Sequence, residues 1–496
     1  MLMRVKWSLV WLCILGLMLA PVSATAATTF ESNYTYDFWG AIRANRSLPA
    51  FELVRTIDSS LIEQVKFQSI DDVHVGGGRI FLVDATDSRV TVLDDRLQLV
   101  TSIKLLRDAT DRIIVNPETN QQLMLNKPEG VYYSETLNEL YIADTAAERI
   151  IVLDGQTYTY LRTIERPDNM VGVTQFKPSK LVVNKDGKIF AVVQGSYEGI
   201  LEINRDGTFS RYFGVNKPRV NLIDYFWKTI ASSEQKEKMG KTFAPSFNNI
   251  TIDPEGLIYA TTFDSSAQDW VFRFNAKGEN VLMENGYFPI IGDIHRYSSS
   301  EESQFVDIAV NDYGVYAVLD RTMGQVFVYN FQGDLLNIFG SIGNLKGNLK
   351  DPSAIAWLGD NLIVTDRYFG VAHLYQPTEF GRAALEAEKA YFQGRWEEAG
   401  AHYEQALHLN TNYDIAYIGV GRNYLMQDRY EEAMYYLELG NSRTYYSMAY
   451  AEFRNLFIQR HFIWFVLILA SFAGALIYSE YRYNRKQDLT MRAGTK

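Results

Sequence analysis

The feature that most constrains this chain is a six-fold repeat of short apolar segments between about residues 60 and 377. Each unit runs through an apolar segment, a Gly-containing turn, a second apolar segment that usually ends in Asp, and a third apolar segment, as in GGGRIFLVDATDSRVTVLD and GDNLIVTDRYFGVAHLY. Alternation at a period of two, with turn residues at each boundary, predicts antiparallel strands. Repetition of such units predicts a β-propeller, whose radial symmetry leaves only short sheet edges.

The two ends of the repeat region predict how the ring closes. The last unit has no fourth apolar segment after Tyr375, whereas a matching segment, Phe51–Ile57, precedes the first unit. We predict that this N-terminal strand completes the sixth blade and closes the ring, which protects the sheet edges without a disulfide. One interruption, 218–245, reads as an amphipathic helical insertion between the third and fourth blades, where it would act as a lid, a contact arm or a structural flap.

Beyond residue 378 the pattern changes to a helical period rich in Ala, Glu and Leu. GRWEEAGAHYEQAL recurs as DRYEEAMYYLELG, with Trp396 aligned to Tyr430, and the resulting period of 34 residues is that of tetratricopeptide (TPR) repeats. Small residues lie where the paired helices must approach closely. The predicted packing set of this module, 379–460, is Trp396, Ala399, Ala406, Gly421, Tyr430, Ala433 and Gly440.

Apolar segments at the chain ends predict its location. Residues 1–27 combine two cations, a 13-residue apolar run and an Ala-x-Ala site, which is the pattern of a cleaved secretory signal peptide. Phe462–Tyr478 is a second apolar run with aromatic residues at both ends and a basic tail after it, which predicts a transmembrane helix, a buried core helix being the alternative. Both features place the N-terminal bulk outside the cell and the tail in the cytoplasm.

Charge and cysteine content exclude some functions. The chain has 48 Lys and Arg against 59 Asp and Glu, and this net charge of -11 argues against a nucleic-acid partner. The single cysteine, Cys13, lies in the predicted signal peptide, so the mature chain would contain no disulfide and no reactive thiol. The predicted parts are a signal peptide (1–27), a lead segment (28–49), the propeller (50–378), the TPR-like module (379–460), the membrane helix (461–479) and the tail (480–496).

Candidate ligand residues lie where each inner strand of the propeller should begin, at the mouth of the central channel. They are Asp72, Glu129, Lys180, Asn249 and Asp307. The four oxygen donors among them are the ligand type that Ca²⁺ or another divalent cation prefers, whereas the fixed cation of Lys180 would repel such a metal. The recurrent Asp84, Asp144, Asp320 and Asp366 are interpreted as turn residues that bond to the backbone.

The repeat units resemble NHL-type propeller repeats. The unit KPEGVYYSETLNELYIADTAAERIIVLD carries the Pro-x-Gly entry, the Tyr-x-x-Asp strand and the Arg-Ile strand of that pattern, whereas the third unit departs from it with Gln194 in place of Asp. The matching residues are Pro128, Gly130, Tyr141, Asp144, Arg149 and Ile150.

The order of propeller, TPR pair and membrane helix resembles the membrane-attached NHL/TPR proteins of Gram-positive bacteria. Those proteins are often encoded beside carbohydrate ABC transporters, so the resemblance implies an accessory role at the cell surface. The predicted function is therefore non-catalytic binding of a protein or glycan, with a transporter component as an expected partner and with no cofactor. The alternative is a metal-dependent propeller hydrolase of the lactonase type, with Asp72, Glu129, Asn249 and Asp307 as metal ligands.

Overall fold

The computed structural model describes residues 33–44, 49–62, 64–116, 120–170, 175–214, 245–264, 267–296 and 302–493. The predicted signal peptide lies outside these residues, and so does the predicted insertion 218–245 apart from its last residue.

The described chain begins with three strands, β1 (Tyr34–Tyr36), β2 (Ile42–Ala44) and β3 (Phe51–Ile57), and continues into six antiparallel sheets arranged as the blades of a propeller. Blade 1 contains β4 (Asp72–Gly76), β5 (Arg79–Asp84), β6 (Arg89–Asp94) and β7 (Leu99–Ile103). Blade 2 contains β8 (Gly130–Ser134), β9 (Glu139–Asp144), β10 (Arg149–Asp154) and β11 (Tyr160–Ile164). Blade 3 contains β12 (Pro178–Val183), β13 (Ile189–Val193), β14 (Ile200–Ile203) and β15 (Phe209–Phe213).

The second half of the ring is less regular. Blade 4 contains β16 (Asn249–Ile252), β17 (Ile258–Thr261) and β18 (Val271–Phe274). Blade 5 contains β19 (Phe305–Val310), β20 (Tyr316–Asp320), β21 (Gln325–Tyr329) and β22 (Leu335–Phe339). Blade 6 contains β23 (Pro352–Leu358), β24 (Asn361–Asp366) and β25 (Val371–Pro377). The first strands of the six blades contact one another around the centre, and β23 contacts β4 across the join.

The N-terminal strands attach to the last two blades. Strand β3 pairs antiparallel with β25, with Phe51 opposite Pro377 and Ile57 opposite Ala372, so the outer strand of blade 6 comes from the start of the chain. The hairpin of β1 and β2 adds to the outer edge of blade 5, where Tyr34 lies opposite Ile338. The repeat pattern does not predict this hairpin, because the lead segment contains no copy of the unit.

Burial explains why the strands differ in sequence. The second and third strands of each blade lie between neighbouring blades and are buried on both faces, so they read as nearly continuous apolar runs such as Arg79–Asp84. In blade 1 the fourth strand forms the outer edge, and Leu99–Ile103 accordingly alternates between exposed and less exposed side chains.

The recurrent aspartates lie at the ends of the second strands and are almost completely buried. Asp84 accepts hydrogen bonds from the backbone N–H groups of Gln68 (2.7 Å) and Asp87 (2.8 Å). Asp320 accepts from Gln304 (2.8 Å) and Thr322 (2.9 Å) in the same way. Each carboxylate thus joins the second-strand turn to the segment that enters the blade, which confirms the structural interpretation of these residues.

Antiparallel order divides the turns between two faces of the ring. The turns that join first to second strands and third to fourth strands lie on one face, and the turns between second and third strands lie on the other, together with the connections between blades. We call the first the helix-side face, because β25 runs toward it and is followed there by the C-terminal helices. The second is called the open face.

Five helices follow the propeller: α1 (Glu379–Phe392), α2 (Trp396–Leu409), α3 (Asp414–Met426), α4 (Tyr430–Leu439) and α5 (Arg443–Ala493). Each packs on the next one along the chain. Helix α5 has 51 residues, about 75 Å at 1.5 Å per residue, and it is long and apolar enough to cross a membrane by length and composition.

A buried charged cluster fixes the helical module to blade 5. Arg422 of α3 is 0% exposed, and its guanidinium lies 3.3 Å from Asp334 and 3.7 Å from Glu388 of α1. It also donates to Gln332 and, over 3.0 Å, to the hydroxyl of Tyr403. The turn between β21 and β22 therefore fills the side of the module formed by α1 and α3, and one apolar core includes both parts of the chain.

Candidate functional site

Four of the predicted ligand residues meet at the centre of the ring. Lys180 donates to one carboxylate oxygen of Asp72, and the other oxygen accepts from the backbone N–H of Val131 over 2.9 Å. Asn249 donates to Asp307 over 2.5 Å. Asp307 also accepts from the backbone N–H of Ile355 over 2.7 Å, so the two carboxylates bridge the inner strands of adjacent blades.

These residues lie deeper than the sequence predicts. We expected them just before each inner strand at the channel mouth, but Asp72 and Asn249 are the first residues of their strands, and Lys180 and Asp307 are the third. The reason is a β-bulge before Lys180 and another before Asp307, which extends each strand by two residues toward the open face. The site is consequently a buried polar layer across the channel instead of a solvated lip.

Glu129 is separated from this layer. It precedes β8, lies on the open-face side and accepts a hydrogen bond from Gln194 over 2.7 Å. Each of the four oxygen donors of the metal hypothesis thus has a protein partner. Asp72 pairs with the ammonium of Lys180, Asp307 accepts from the side-chain amide of Asn249, and Glu129 accepts from Gln194. Among the residues that the structure describes, no three His, Cys, Asp or Glu side chains group as metal ligands. This arrangement does not fit a divalent-cation site, which needs converging free oxygens.

Burial governs the charge state of the layer. Desolvation raises the pKa of Asp307 to about 7, and the ammonium of Lys180 opposes that rise while the carboxylate of Asp72 adds to it. Desolvation likewise raises the pKa of Asp72, against the effect of Lys180. Lys180 therefore serves two buried carboxylates, and its ammonium also opposes the rise that desolvation causes in the pKa of Glu129 on the open-face side.

A cavity of about 440 Å³ lies on the helix-side of the layer. It is lined by inner-strand residues and by first-to-second-strand turns, including Asp253, Asp312 and Lys185. His74 also lines it, and the Nε2 atom of this side chain is buried with no hydrogen-bond partner. Burial lowers the pKa of His74 to about 4, so its ring is neutral at physiological pH.

A second cavity, of about 550 Å³, lies on the open side of the layer. Its polar lining includes Asp71, Glu129, Lys180, Gln194, Arg321 and Arg367, and its apolar lining includes Phe263. We call this cavity the open-face cavity. Apart from Glu129 and Lys180, these residues were not predicted from the sequence, because they lie in turns whose residues differ from blade to blade.

The predicted packing residues of the helical module lie between its helices. Ala399, Ala406 and Ala433 are fully buried, while Trp396 and Tyr430 pack against the core from its edge. A Cβ atom at Gly421 would lie 2.5 Å from Leu437, and one at Gly440 would lie 2.7 Å from Ile418. These two positions therefore require glycine for the helices to approach as they do.

No protein-family model matches the chain, and no curated protein matches its sequence. Among solved structures, a streptogramin B lyase is 10% identical, with 66% of this chain and 98% of that chain covered and a TM-score of 0.40. The β-propeller domain of Cps50 (Swd1) from Myceliophteria thermophila is 13% identical, with 66% and 100% covered and a TM-score of 0.40. Virginiamycin B lyase from Staphylococcus aureus with quinupristin is 10% identical, with 66% and 100% covered and a TM-score of 0.40. At TM-scores of 0.40 these likenesses carry no argument about the fold or the function of this chain.

Proposed function

We propose that the chain is a membrane-anchored, non-catalytic binding protein whose propeller lies outside the cell. The observation that supports this proposal is the continuous, rigid connection from propeller to apolar helix. The buried ion pair of Arg422 with Asp334 attaches the helical module to blade 5. Helix α5, whose first turns pack against the module, then continues through the apolar segment Phe462–Tyr478 without a break. A binding surface held at a fixed position above a membrane is the simplest use of this arrangement.

The segment of α5 between the helical module and the apolar run sets the distance from the module to the membrane. Ala449 is the last fully buried residue among the described side chains of α5, and Phe462 begins the apolar run 13 residues later. At 1.5 Å per residue this stalk spans about 20 Å. The basic tail after Tyr478 favours a cytoplasmic location for the C-terminus, which leaves the propeller on the other side.

Partner contacts on the helical module would use α2 and α4. The side formed by α1 and α3 is occupied by the turn of blade 5, whereas α2 and α4 each expose one face. That exposed surface is acidic on balance, because Glu397 and Glu431 add to the carboxylates of Glu398 and Glu432, which pair with Arg395 and Arg429. A partner with a basic surface, such as a component of a carbohydrate transporter, would match it.

Cysteine labelling in whole cells tests the anchoring and the orientation. The only native cysteine, Cys13, leaves with the predicted signal peptide, so in the mature chain Glu198→Cys places a single thiol on an exposed open-face turn and Asn484→Cys places one beyond the apolar run. A membrane-impermeant maleimide should label the first variant in intact cells and the second only after lysis. The opposite pattern would refute the proposed orientation.

Alkaline extraction of membranes tests the span itself. The native chain and the control Leu467→Ala/Ile468→Ala should remain in the pellet, whereas Leu467→Arg/Ile468→Arg should be released, because each Arg at the centre of a span costs about 2.5–3.5 kcal/mol. Release of the native chain would refute the anchoring.

A further inference from the structure

We infer that the open-face cavity binds a neutral oligosaccharide. This inference deepens the proposed function, since it names the ligand class and the surface of the same binding protein. It depends on three observations: the charge balance of the cavity, the exposed aromatic side chains on the turns around it, and the volume of the cavity together with its opening on the face opposite the helical module.

The cavity offers many hydrogen-bonding groups but little net charge. Arg367 pairs with Asp71 over 2.6 Å and lies 3.5 Å from Asp351, and Arg321 pairs with Asp351 over 2.8 Å. Lys180 at the floor pairs with Asp72. In the described part of the cavity and its floor, these three cations therefore face four carboxylates, those of Asp71, Asp72, Asp351 and Glu129, and Asp307, with a pKa of about 7, adds a fifth that is partly ionised. The small net negative charge disfavours an anionic ligand, and the many polar groups suit a chain of hydroxyl groups.

Exposed aromatic side chains lie on the same turns as the polar groups. Phe263, which lines the cavity, is 54% exposed, and Tyr368, next to Arg367, is 61% exposed. Tyr197 and Phe369 are also exposed, in the turns of blades 3 and 6. Flat aromatic faces on these turns can pack on the C–H faces of sugar rings. The Phe263 ring lines the cavity itself, whereas the Lys350 ammonium lies over one face of the Tyr368 ring, 3.8 Å from its centre.

The size and direction of the cavity agree with this ligand. Its volume of about 550 Å³ is within the range of about 300–1,000 Å³ that is typical of small-molecule sites. A globular protein partner would need a flatter apolar patch that buries on the order of 1,000 Å² or more. The cavity opens away from the helical module, so an extended oligosaccharide can enter without contacting the module or a membrane.

Titration of the full-length chain in detergent with defined sugars tests the inference. The probes are maltohexaose, cellohexaose, xylohexaose and mannohexaose, with hexagalacturonic acid as the anionic comparison and calorimetry as the measurement. We expect at least one neutral hexamer to bind. Phe263→Ala and Tyr368→Ala should each weaken that binding about 10- to 100-fold through the lost aromatic contact.

Two controls separate binding from folding. Tyr435→Ala removes an equally exposed tyrosine (60%) from the helical module and should leave the affinity unchanged. The melting temperature of Phe263→Ala should equal that of the native chain, because Phe263 lies half exposed at the rim. Binding of none of the neutral hexamers, stronger binding of hexagalacturonic acid, or equal effects of Tyr435→Ala and Phe263→Ala would each overturn the inference.

The same set of outcomes distinguishes this inference from the proposed function. If no sugar binds while Glu198→Cys is labelled on intact cells, the ligand class is wrong and the anchored binding protein stands. If a sugar binds but alkaline extraction releases the native chain from membranes, the anchoring is wrong and the cavity assignment stands.

Discussion

Replacing Arg422 by Met should loosen the helical module from the propeller. The change leaves Asp334 and Glu388 buried without their cation and also removes the guanidinium that lies 4.4 Å from the ring centre of Tyr391. Breaking a buried ion pair at one partner costs about 3–5 kcal/mol, because the remaining charge stays desolvated. At 1.36 kcal/mol per factor of ten, exchange of the protected amides in α1 and α3 should become roughly 150- to 5,000-fold faster.

The pH dependence of this effect has a definite sign. Burial raises the pKa of Glu388, and Arg422 opposes that rise. A carboxyl group with a raised folded-state pKa contributes stability that is complete below its unfolded-state pKa and is lost as the pH rises through the folded-state value. Without Arg422 the pKa of Glu388 rises further, so the cost of the substitution should be smaller at pH 5 than at pH 8.

Hydrogen–deuterium exchange of the full-length chain in detergent measures both effects. The matched control is Arg429→Met, which removes an exposed pairing with Glu432 in the same module and should leave exchange in α1 and α3 unchanged. Adding Glu388→Gln to Arg422→Met should recover part of the protection at pH 8. If Arg422→Met increases amide exchange in α1 and α3 less than fivefold, or by the same factor at pH 5 and pH 8, Arg422 does not hold the helical module on blade 5 through its buried ion pairs.

Three further predictions concern the ring and its attachment. Gly381→Ala should lower stability by about 1–3 kcal/mol in thermal unfolding, because the new Cβ would lie 2.0 Å from the carbonyl oxygen of Ala50, whereas Gly474→Ala, with open space around it, should have no effect. Lys180→Met should destabilise the chain more at pH 8.5 than at pH 5.5 in denaturant titrations, because the buried Asp307, with a pKa of about 7, then ionises without its cation; equal losses would contradict this. Because burial lowers the pKa of His74 to about 4, native stability should fall between about pH 6.5 and pH 4 as only the unfolded chain takes up that proton, and His74→Gln should reduce this fall.

The sequence predicts the parts of this fold that depend on local pattern. The period of two, the turn residues and the recurrent Asp84-type positions are repeated in every regular blade, so the six-blade architecture follows from them. The small residues at Ala399 and Ala433 predict closely packed helices in the same way. In each case the signal lies within one unit and is reinforced by repetition.

Contacts between distant segments are not predictable from these patterns. The hairpin of β1 and β2 pairs with blade 5, where Tyr34 and Tyr36 pack in an apolar cluster. The short segment YTY contains no pattern that identifies blade 5 as its partner. The sequence gives no sign that Arg422 is buried, because its partner Asp334 lies about 90 residues earlier in the chain and only the fold brings the two together. The bulges before Lys180 and Asp307 likewise depend on pairing across the strand, which is why the central layer was predicted too close to the mouth.

The strand that the N-terminus supplies to blade 6 also determines the face of the ring on which the chain continues into the helices. Because β3 takes the outer position, the chain leaves the ring at the end of β25, the third strand of blade 6, which runs toward the helix-side face. If the fourth strand of blade 6 instead followed β25 in the sequence, it would run antiparallel to β25 and end at the open face, so the chain would leave the ring there. The helical module and α5 would then lie beside the open-face cavity. The pairing of Phe51–Ile57 with β25 therefore keeps that cavity on the side opposite the helices, which is the orientation a tethered binding protein requires.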